Sequence, residues 1–134
     1  MKILIITSKA FYDKVKTTAA VLESLGHEVI YPNCIDRPNS EQEAINNDNF
    51  VNVKQEMFKQ SIEKIEQVDA VLVINCNKNN QVNYIGGATF LEIYEAWKLN
   101  KKIFIVNFVA NSIISDEILG FNPIILNGNC ANII

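Results

Sequence analysis

The segment that says most about this chain reads YIGGATFLE, from Tyr84 to Glu92. It follows an apolar run typical of a buried strand, Ala70–Ile74, and it opens a stretch with helical periodicity. Gly86 and Gly87 carry no Cβ, so a ligand can come close to the backbone there. The helix start behind them offers unpaired N–H groups, and Glu92 lies about one turn further on. A carboxylate beside a glycine-rich turn indicates chemistry on a sugar or a nucleotide.

Strand and helix patterns alternate along the rest of the chain. We predict five strands, at residues 3–7, 27–31, 70–75, 103–107 and 123–126. We predict helices at residues 15–25, 50–65, 88–99 and 115–120, and polar loops at 32–49, with a helical turn at 40–45, and at 75–83. Such alternation predicts an α/β fold with a five-stranded parallel sheet sandwiched by helices. We expect this flavodoxin- or Rossmann-like three-layer architecture to form one domain over residues 1–134.

Composition narrows the class of protein. The 134 residues are 49% hydrophobic and 20% charged, which is ordinary for a globular protein. The net charge of −3 gives no basic face for nucleic acid, and no apolar run is long enough for a membrane span. We interpret the apolar start at residues 1–6 as a strand rather than a signal peptide. Cys34, Cys76 and Cys130 form no Cys-x-x-Cys pair, so we expect free thiols, no bound metal and a cytoplasmic location.

Polar side chains follow several of the predicted strands where each strand ends. Ligands of parallel sheets bind beyond the carboxyl ends of the strands. That edge brings together Ser8, Asn75 and Asn107 with the glycine turn and Glu92. The sequence therefore predicts a ligand site at this edge.

Three common uses of this architecture fit the chain poorly. A phospho-acceptor receiver needs acidic residues after the first strand, and residues 7–10 (TSKA) contain none. A dinucleotide site needs Gly-x-Gly-x-x-Gly there, and no glycine occurs between Met1 and Leu25. The same residues match a flavin phosphate loop poorly.

The middle of the chain carries a more specific pattern, between Asp69 and Phe104. An aspartate precedes the apolar strand, a glycine loop follows it, and Thr89-x-x-Glu92 opens the helix, with Ala96 and Lys102-Ile103 further on. This pattern resembles the nucleoside 2-deoxyribosyltransferase-like superfamily, whose element order the chain follows over nearly its whole length. The phosphoribohydrolases that release cytokinin bases have a related motif, Pro-Gly-Gly-x-Gly-Thr-x-x-Glu. We rank that kinship second, because the segment here lacks the Pro and is one residue shorter between the glycines and Thr89.

The resemblance implies cleavage or transfer of the N-glycosidic bond of a nucleoside or nucleoside 5′-monophosphate, with Glu92 as the carboxylate nucleophile. It implies a small-molecule ligand, no cofactor, and a homo-oligomer in which a neighbour's C-terminal residues, here 122–132, complete the site. Apolar side chains at Tyr94, Trp97 and Leu99 agree with self-association. With the sheet edge, the resemblance names the expected substrate-binding residues, which are Ser8, Phe11, Tyr12, Asn75, Gly86, Gly87 and Thr89.

The implied chemistry passes through an oxocarbenium-like transition state at C1′, which a carboxylate can stabilise or attack. Ala88 and Ala96 share a helix face with Glu92, so we expect partial burial to raise its pKa. Hydrogen bonds would have to restrain such a carboxylate. We expect them from Thr89, Ser8 or Tyr12.

The chain departs from the family at three places. Gly86 stands where the transferases carry an acid, and Ile5 stands where they carry a tyrosine. Residues 83–85 contain no serine for a 5′-phosphate. The alternative is therefore a catalytically silent nucleotide-binding or protein-interaction module on the same fold. Hydrolysis or transfer, the base, ribose or deoxyribose, and the need for a 5′-phosphate all stay open.

Overall fold

A computed structural model of the chain describes residues 1–33, 35, 36 and 39–134, with the backbone alone at residue 41. The strands are β1 (Lys2–Thr7), β2 (Glu28–Ile30), β3 (Ala70–Ile74), β4 (Cys76–Lys78), β5 (Gln81–Tyr84), β6 (Lys102–Ile105) and β7 (Ile124–Ile125). The helices are α1 (Val15–Ser24), α2 (Ser40–Asn46), α3 (Phe50–Glu66), α4 (Gly87–Lys98) and α5 (Ser115–Gly120), with 3₁₀ helices at Lys9–Lys14 and Cys130–Asn132. Cys34, expected to be a free thiol, lies outside the described residues.

Five strands form one parallel sheet in the order β2-β1-β3-β6-β7. The predicted fold class is thereby confirmed. In the centre, Ile3 pairs with Ala70, and Val71 pairs with Ile103. Every residue of β3 is buried, as expected for a strand covered on both faces. Helices must therefore pack on both sides of the sheet.

The two faces of the sheet carry separate apolar clusters. On one face, side chains of β1, β3 and β6 pack against α1 and the first 3₁₀ helix, through Phe11, Val15, Ala19 and Leu22. On the other face, side chains of the same strands pack against α3, α4 and α5, through Ile65, Ile93, Ala96 and Ile118. The helices thus form two layers around the sheet. None of the helices within the described ranges combines the length and apolar character needed to cross a membrane.

The prediction of a loop over residues 75–83 is wrong. These residues form a β-hairpin in which β4 and β5 run antiparallel, with Cys76 opposite Tyr84 and Lys78 opposite Gln81. Asn79 turns the chain with a left-handed φ of +54°. The hairpin was missed because its two short strands are mostly polar and show no apolar alternation. The hairpin matters for function because it stands beside the start of α4.

Left-handed backbone is frequent in this chain. Gly26 ends α1 with a φ of +90°, as its position after the helical pattern predicted. Six non-glycine residues of the described chain also have positive φ, namely Asp48, Asn79, Asn83, Asn100, Asn122 and Asn127. Asparagine and aspartate tolerate this region better than other residues with a Cβ, because their short polar side chains bond locally.

A pair of asparagines joins the ends of β3 and β6. The buried Asn75 side chain accepts a hydrogen bond from the Asn107 backbone N–H (2.9 Å) and donates to the carbonyl oxygens of Asn107 (3.0 Å) and Phe108 (3.2 Å). The Asn107 side chain donates in return to the Asn75 carbonyl (2.8 Å). These bonds fix the carboxyl edge of the sheet where its ladder ends.

We expect Asn75→Ala to lower the free energy of unfolding by about 2–4 kcal/mol, because it leaves part-buried backbone groups of Asn107 and Phe108, just after β6, without partners. Urea denaturation measures this loss. The control is Asn80→Ala, at an exposed position of the hairpin turn, which should change stability by less than about 0.5 kcal/mol. Equal effects of the two substitutions would contradict a structural role for Asn75.

Candidate functional site

A cavity of about 470 Å³ opens at the carboxyl edge of the sheet. Its wall comes from the end of β1, the start of the first 3₁₀ helix, α3, the β4–β5 hairpin and the start of α4. The volume lies in the range of small-molecule sites, about 300–1,000 Å³. The cavity therefore lies where parallel sheets bind their ligands.

The glycine turn forms part of the cavity wall. Gly86 is the extended residue before α4, with φ −79° and ψ 169°, and Gly87 is the first residue of the helix. Neither has a left-handed φ, so the backbone does not demand glycine at either position. A Cβ on Gly87 would meet nothing within 4 Å, whereas one on Gly86 would lie 3.4 Å from the Tyr84 hydroxyl. The space beside Gly87 is therefore open to a ligand.

Glu92 lies on the cavity side of α4, where that helix packs against α3. It is partly buried, and burial raises the pKa of its carboxyl to about 7. A hydrogen bond from Ser61 and the positive charges of Lys64 and Lys54 act in the opposite direction. Near neutral pH the carboxyl is therefore close to its midpoint of ionisation.

Ser61 belongs to a hydrogen-bonded chain that crosses the cavity wall. The Asn33 side-chain amide donates to Ser61 Oγ (2.9 Å) and to the Met57 carbonyl (2.9 Å). The Tyr12 hydroxyl donates to the Asn33 carbonyl (2.7 Å). The first 3₁₀ helix and the loop after β2 are thus joined to α3 beside Ser61.

The structure gathers most of the expected site residues. Those that line the cavity are Ser8, Tyr12, Gly86, Gly87, Thr89 and Glu92. Phe11 and Asn75 lie elsewhere. Phe11 is 4% exposed and packs in the core with α1, and Asn75 binds the end of β6. Both residues support elements that carry the site.

Sequence reasoning missed part of the wall. The hydrogen bond to Glu92 was expected from Thr89, Ser8 or Tyr12, and the one that lowers its pKa comes from Ser61. A signal was present, because Ser61 is a polar residue within an otherwise apolar helical stripe on α3. Asn33 gave no signal, since it lies in a polar loop after β2.

Basic side chains predominate in the lining. Lys9, Lys54 and Lys78 come from three different elements, against Glu92 and Glu95 among the described acidic residues. The Glu95 carboxylate is also engaged by Lys98 at 3.4 Å. The Lys78 ammonium stays within the hairpin, 4.6 Å from the centre of the Tyr84 ring. Such a wall favours an anionic ligand.

Two described cysteines lie away from the cavity. Cys76 and Cys130 are free thiols outside the cavity lining, and burial raises the pKa of the Cys130 thiol. No three His, Cys, Asp or Glu residues in the described chain lie together in a way that could hold a metal ion.

An aromatic surface flanks the cavity on α4. Tyr94 and Trp97 are 44% and 48% exposed, and both pack against Phe121, with ring centroids 6.0 Å and 5.5 Å away. Tyr94 also lines the cavity. Self-association through this surface stays a prediction.

Neither a protein-family model nor a curated protein matches this sequence. Among solved structures, the fold is similar to that of the CMP N-glycosidase BcmB from Clostridium botulinum, with a TM-score of 0.58. The alignment covers 95% of this chain and 90% of that chain at 14% sequence identity. At this identity the similarity shows the fold, and function has to be argued from the site.

We expect wild-type stability to fall as pH rises from about 4.5 to about 7. The pKa of Glu92 is raised in the folded state, so the folded protein holds a proton that the unfolded chain has released. Glu92→Gln should remove this dependence. At pH 8 its free energy of unfolding should exceed that of the wild type by up to about 3 kcal/mol. Unfolding curves from pH 5 to pH 8 measure both effects.

The control for this experiment is Glu63→Gln, which neutralises an exposed glutamate on α3. It should keep the wild-type slope of stability against pH. An unchanged slope in Glu92→Gln would mean that Glu92 is not the buried carboxyl responsible.

Proposed function

We propose that this protein cleaves, or transfers, the N-glycosidic bond of a nucleoside 5′-monophosphate or nucleoside, with Glu92 as the nucleophile. The observation that carries the proposal is a partly buried carboxylate in a cavity at the carboxyl edge of the sheet. The similarity in fold to a CMP N-glycosidase supports the same chemistry. The proposal includes membership of the nucleoside 2-deoxyribosyltransferase-like superfamily.

The proposed reaction has two displacements at C1′. In the first, a Glu92 oxygen bonds to C1′ and the C1′–N bond breaks, its electron pair leaving on the base. In the second, water attacks C1′, the ester bond breaks and the carboxylate is restored. The base gains one proton and the water loses one, so hydrolysis balances, and two inversions give net retention. A second base in place of water would give transfer.

The environment of Glu92 suits this role. A partly desolvated carboxylate stabilises developing positive charge on a sugar more strongly than a solvated one does. Ser61, Lys54 and Lys64 keep a useful fraction of the carboxyl ionised despite its burial. The base must take its proton from a group other than residue 86, because Gly86 has no side chain.

Charge favours a phosphorylated substrate. Three lysines from separate elements line the cavity, and the first turn of α4 has no side-chain cap on its backbone N–H groups. Both features attract a phosphate. We therefore prefer a 5′-monophosphate over a free nucleoside, although residues 83–85 contain no serine.

The second candidate is a catalytically silent nucleotide-binding module. Ile5, which stands where the family has a tyrosine, is fully buried in the core, so β1 gives Glu92 no hydroxyl from that position. Chromatography for free base after incubation with nucleosides and their monophosphates separates the two candidates. Binding without any base release would support the silent module.

We expect Glu92→Gln to lower base release on the order of a thousandfold or more, because it removes the nucleophile while keeping the shape of the side chain. Base release from CMP, or from whichever nucleotide the wild type accepts, is the measurement. Glu63→Gln should stay within a few fold of the wild type. If Glu92→Gln retains activity within a few fold, Glu92 is not the nucleophile.

We expect Gly87→Val to weaken nucleotide binding tenfold or more while leaving the melting temperature nearly unchanged. The added side chain would enter the open space beside α4, where a Cβ meets no protein atom within 4 Å. Calorimetric titration with CMP and a thermal melt measure the two quantities. Gly87→Ala, which adds one methyl, should weaken binding less. Loss of stability with intact binding would show that Gly87 is a turn residue alone.

A further inference from the structure

The hydrogen-bonded chain behind Glu92 has a defined direction. It runs from the Tyr12 hydroxyl to the Asn33 carbonyl, and from the Asn33 amide to Ser61 Oγ. The Met57 carbonyl can only accept a hydrogen bond, so the amide nitrogen of Asn33 must face it. The orientation of the Asn33 side chain is therefore fixed, and the same nitrogen donates to Ser61.

This direction determines what Ser61 can do. A serine hydroxyl has one proton to donate, and its oxygen already accepts from Asn33. The proton is therefore available to the Glu92 carboxylate, which lines the same cavity from the neighbouring helix α4. A donor at this position favours the ionised carboxylate and fixes its orientation across the contact between α3 and α4.

Other charged or titratable groups also lie around Glu92. Lys54 and Lys64 act on it from α3 by charge, and Lys64 also donates to the Tyr31 carbonyl (3.0 Å). The remaining charged or titratable groups described around the cavity are Tyr94 and Glu95 on α4, Lys9 and Tyr12 in the first 3₁₀ helix, and Lys78 and Tyr84 in the hairpin.

We propose that Ser61, oriented by Asn33, is the positioning residue of Glu92 and holds its carboxylate ionised and directed at the ligand. This inference rests on the proposed function, and it places the restraint on α3 rather than on β1. Ser61 takes no part in bond making or breaking. Its effect passes entirely through Glu92.

The test compares Ser61→Ala with the wild type in the pH dependence of base release at saturating CMP. Loss of a hydrogen bond to a charged acceptor should move the rising limb of the profile upward by about one to two pH units. Activity at pH 6.5 should then fall about tenfold or more, and most of it should return by pH 9. Ser61→Thr, which keeps the hydroxyl, should restore the wild-type midpoint.

Two further variants serve as controls. Ser61→Cys keeps nearly the same volume with a weaker donor, so it should give a smaller shift even if Ser61→Ala folds poorly. Ser24→Ala removes an exposed hydroxyl that bonds only within α1 among the described contacts, and it should leave the profile unchanged. A uniform loss of activity in Ser61→Ala with the wild-type midpoint would overturn the proposal.

A second readout does not depend on activity. The difference in stability between each protein and its Glu92→Gln derivative, measured against pH, reports ionisation of Glu92 alone. Ser61→Ala should move this transition to higher pH. If the wild type releases no base but the transition moves, the proposed function fails while the contact between Ser61 and Glu92 stands. If the transition does not move, the role of Ser61 is wrong whatever the activity.

Discussion

The burial of the central strands on both faces is the constraint on which the rest of the structure depends. All five residues of β3 are buried, and β1 and β6 are nearly as enclosed. Helices must cover both faces of such a sheet, so polar chemistry is left to the edges where strands end. Asn75 is the first polar residue after β3, and it secures the end of β6. The cavity opens at this edge, next to the hairpin and the start of α4.

The site concentrates polar groups that a purely structural cavity would avoid. Glu92 is held in a position that costs free energy to ionise, and shifted carboxyl groups in clefts are typical of functional sites. In the same wall, Asn33 Oδ1 and Ser40 Oγ are buried without a hydrogen-bond partner among the described residues. Buried polar atoms are rarely left unpaired in proteins. Their presence beside Glu92 agrees with a wall shaped for a ligand rather than for stability.

Periodicity predicted most of the fold, because long apolar patterns have few alternative interpretations. The run of β3 and the apolar stripe of α3 illustrate this, and both were found where expected. The hairpin was missed because strands of three and four mostly polar residues carry no such pattern. Glu92 and the glycine turn were singled out through the resemblance to a family motif, and both line the cavity.

Ser61 and Glu92 line one cavity from two helices that are separated by some twenty residues of hairpin and strand, and nothing local in the sequence specifies this. The position of Asn33 depends equally on how the loop after β2 returns to α3. Phe11 was expected to bind the substrate, but this aromatic residue packs inward with α1 instead of facing the cavity. Side-chain direction at the end of a strand is a tertiary property.

The left-handed asparagines change how mutational data on this chain should be read. Only two of its five glycines have positive φ, and asparagine occupies most of the other left-handed positions. Alanine at those positions would add backbone strain of roughly 1–2 kcal/mol, whatever the side chain touched. An alanine scan would therefore show a loss of stability at turn residues such as Asn100 and Asn122, even though their side chains make no important contact. Glycine is the proper reference substitution there, because it separates the contribution of the side chain from that of the backbone conformation.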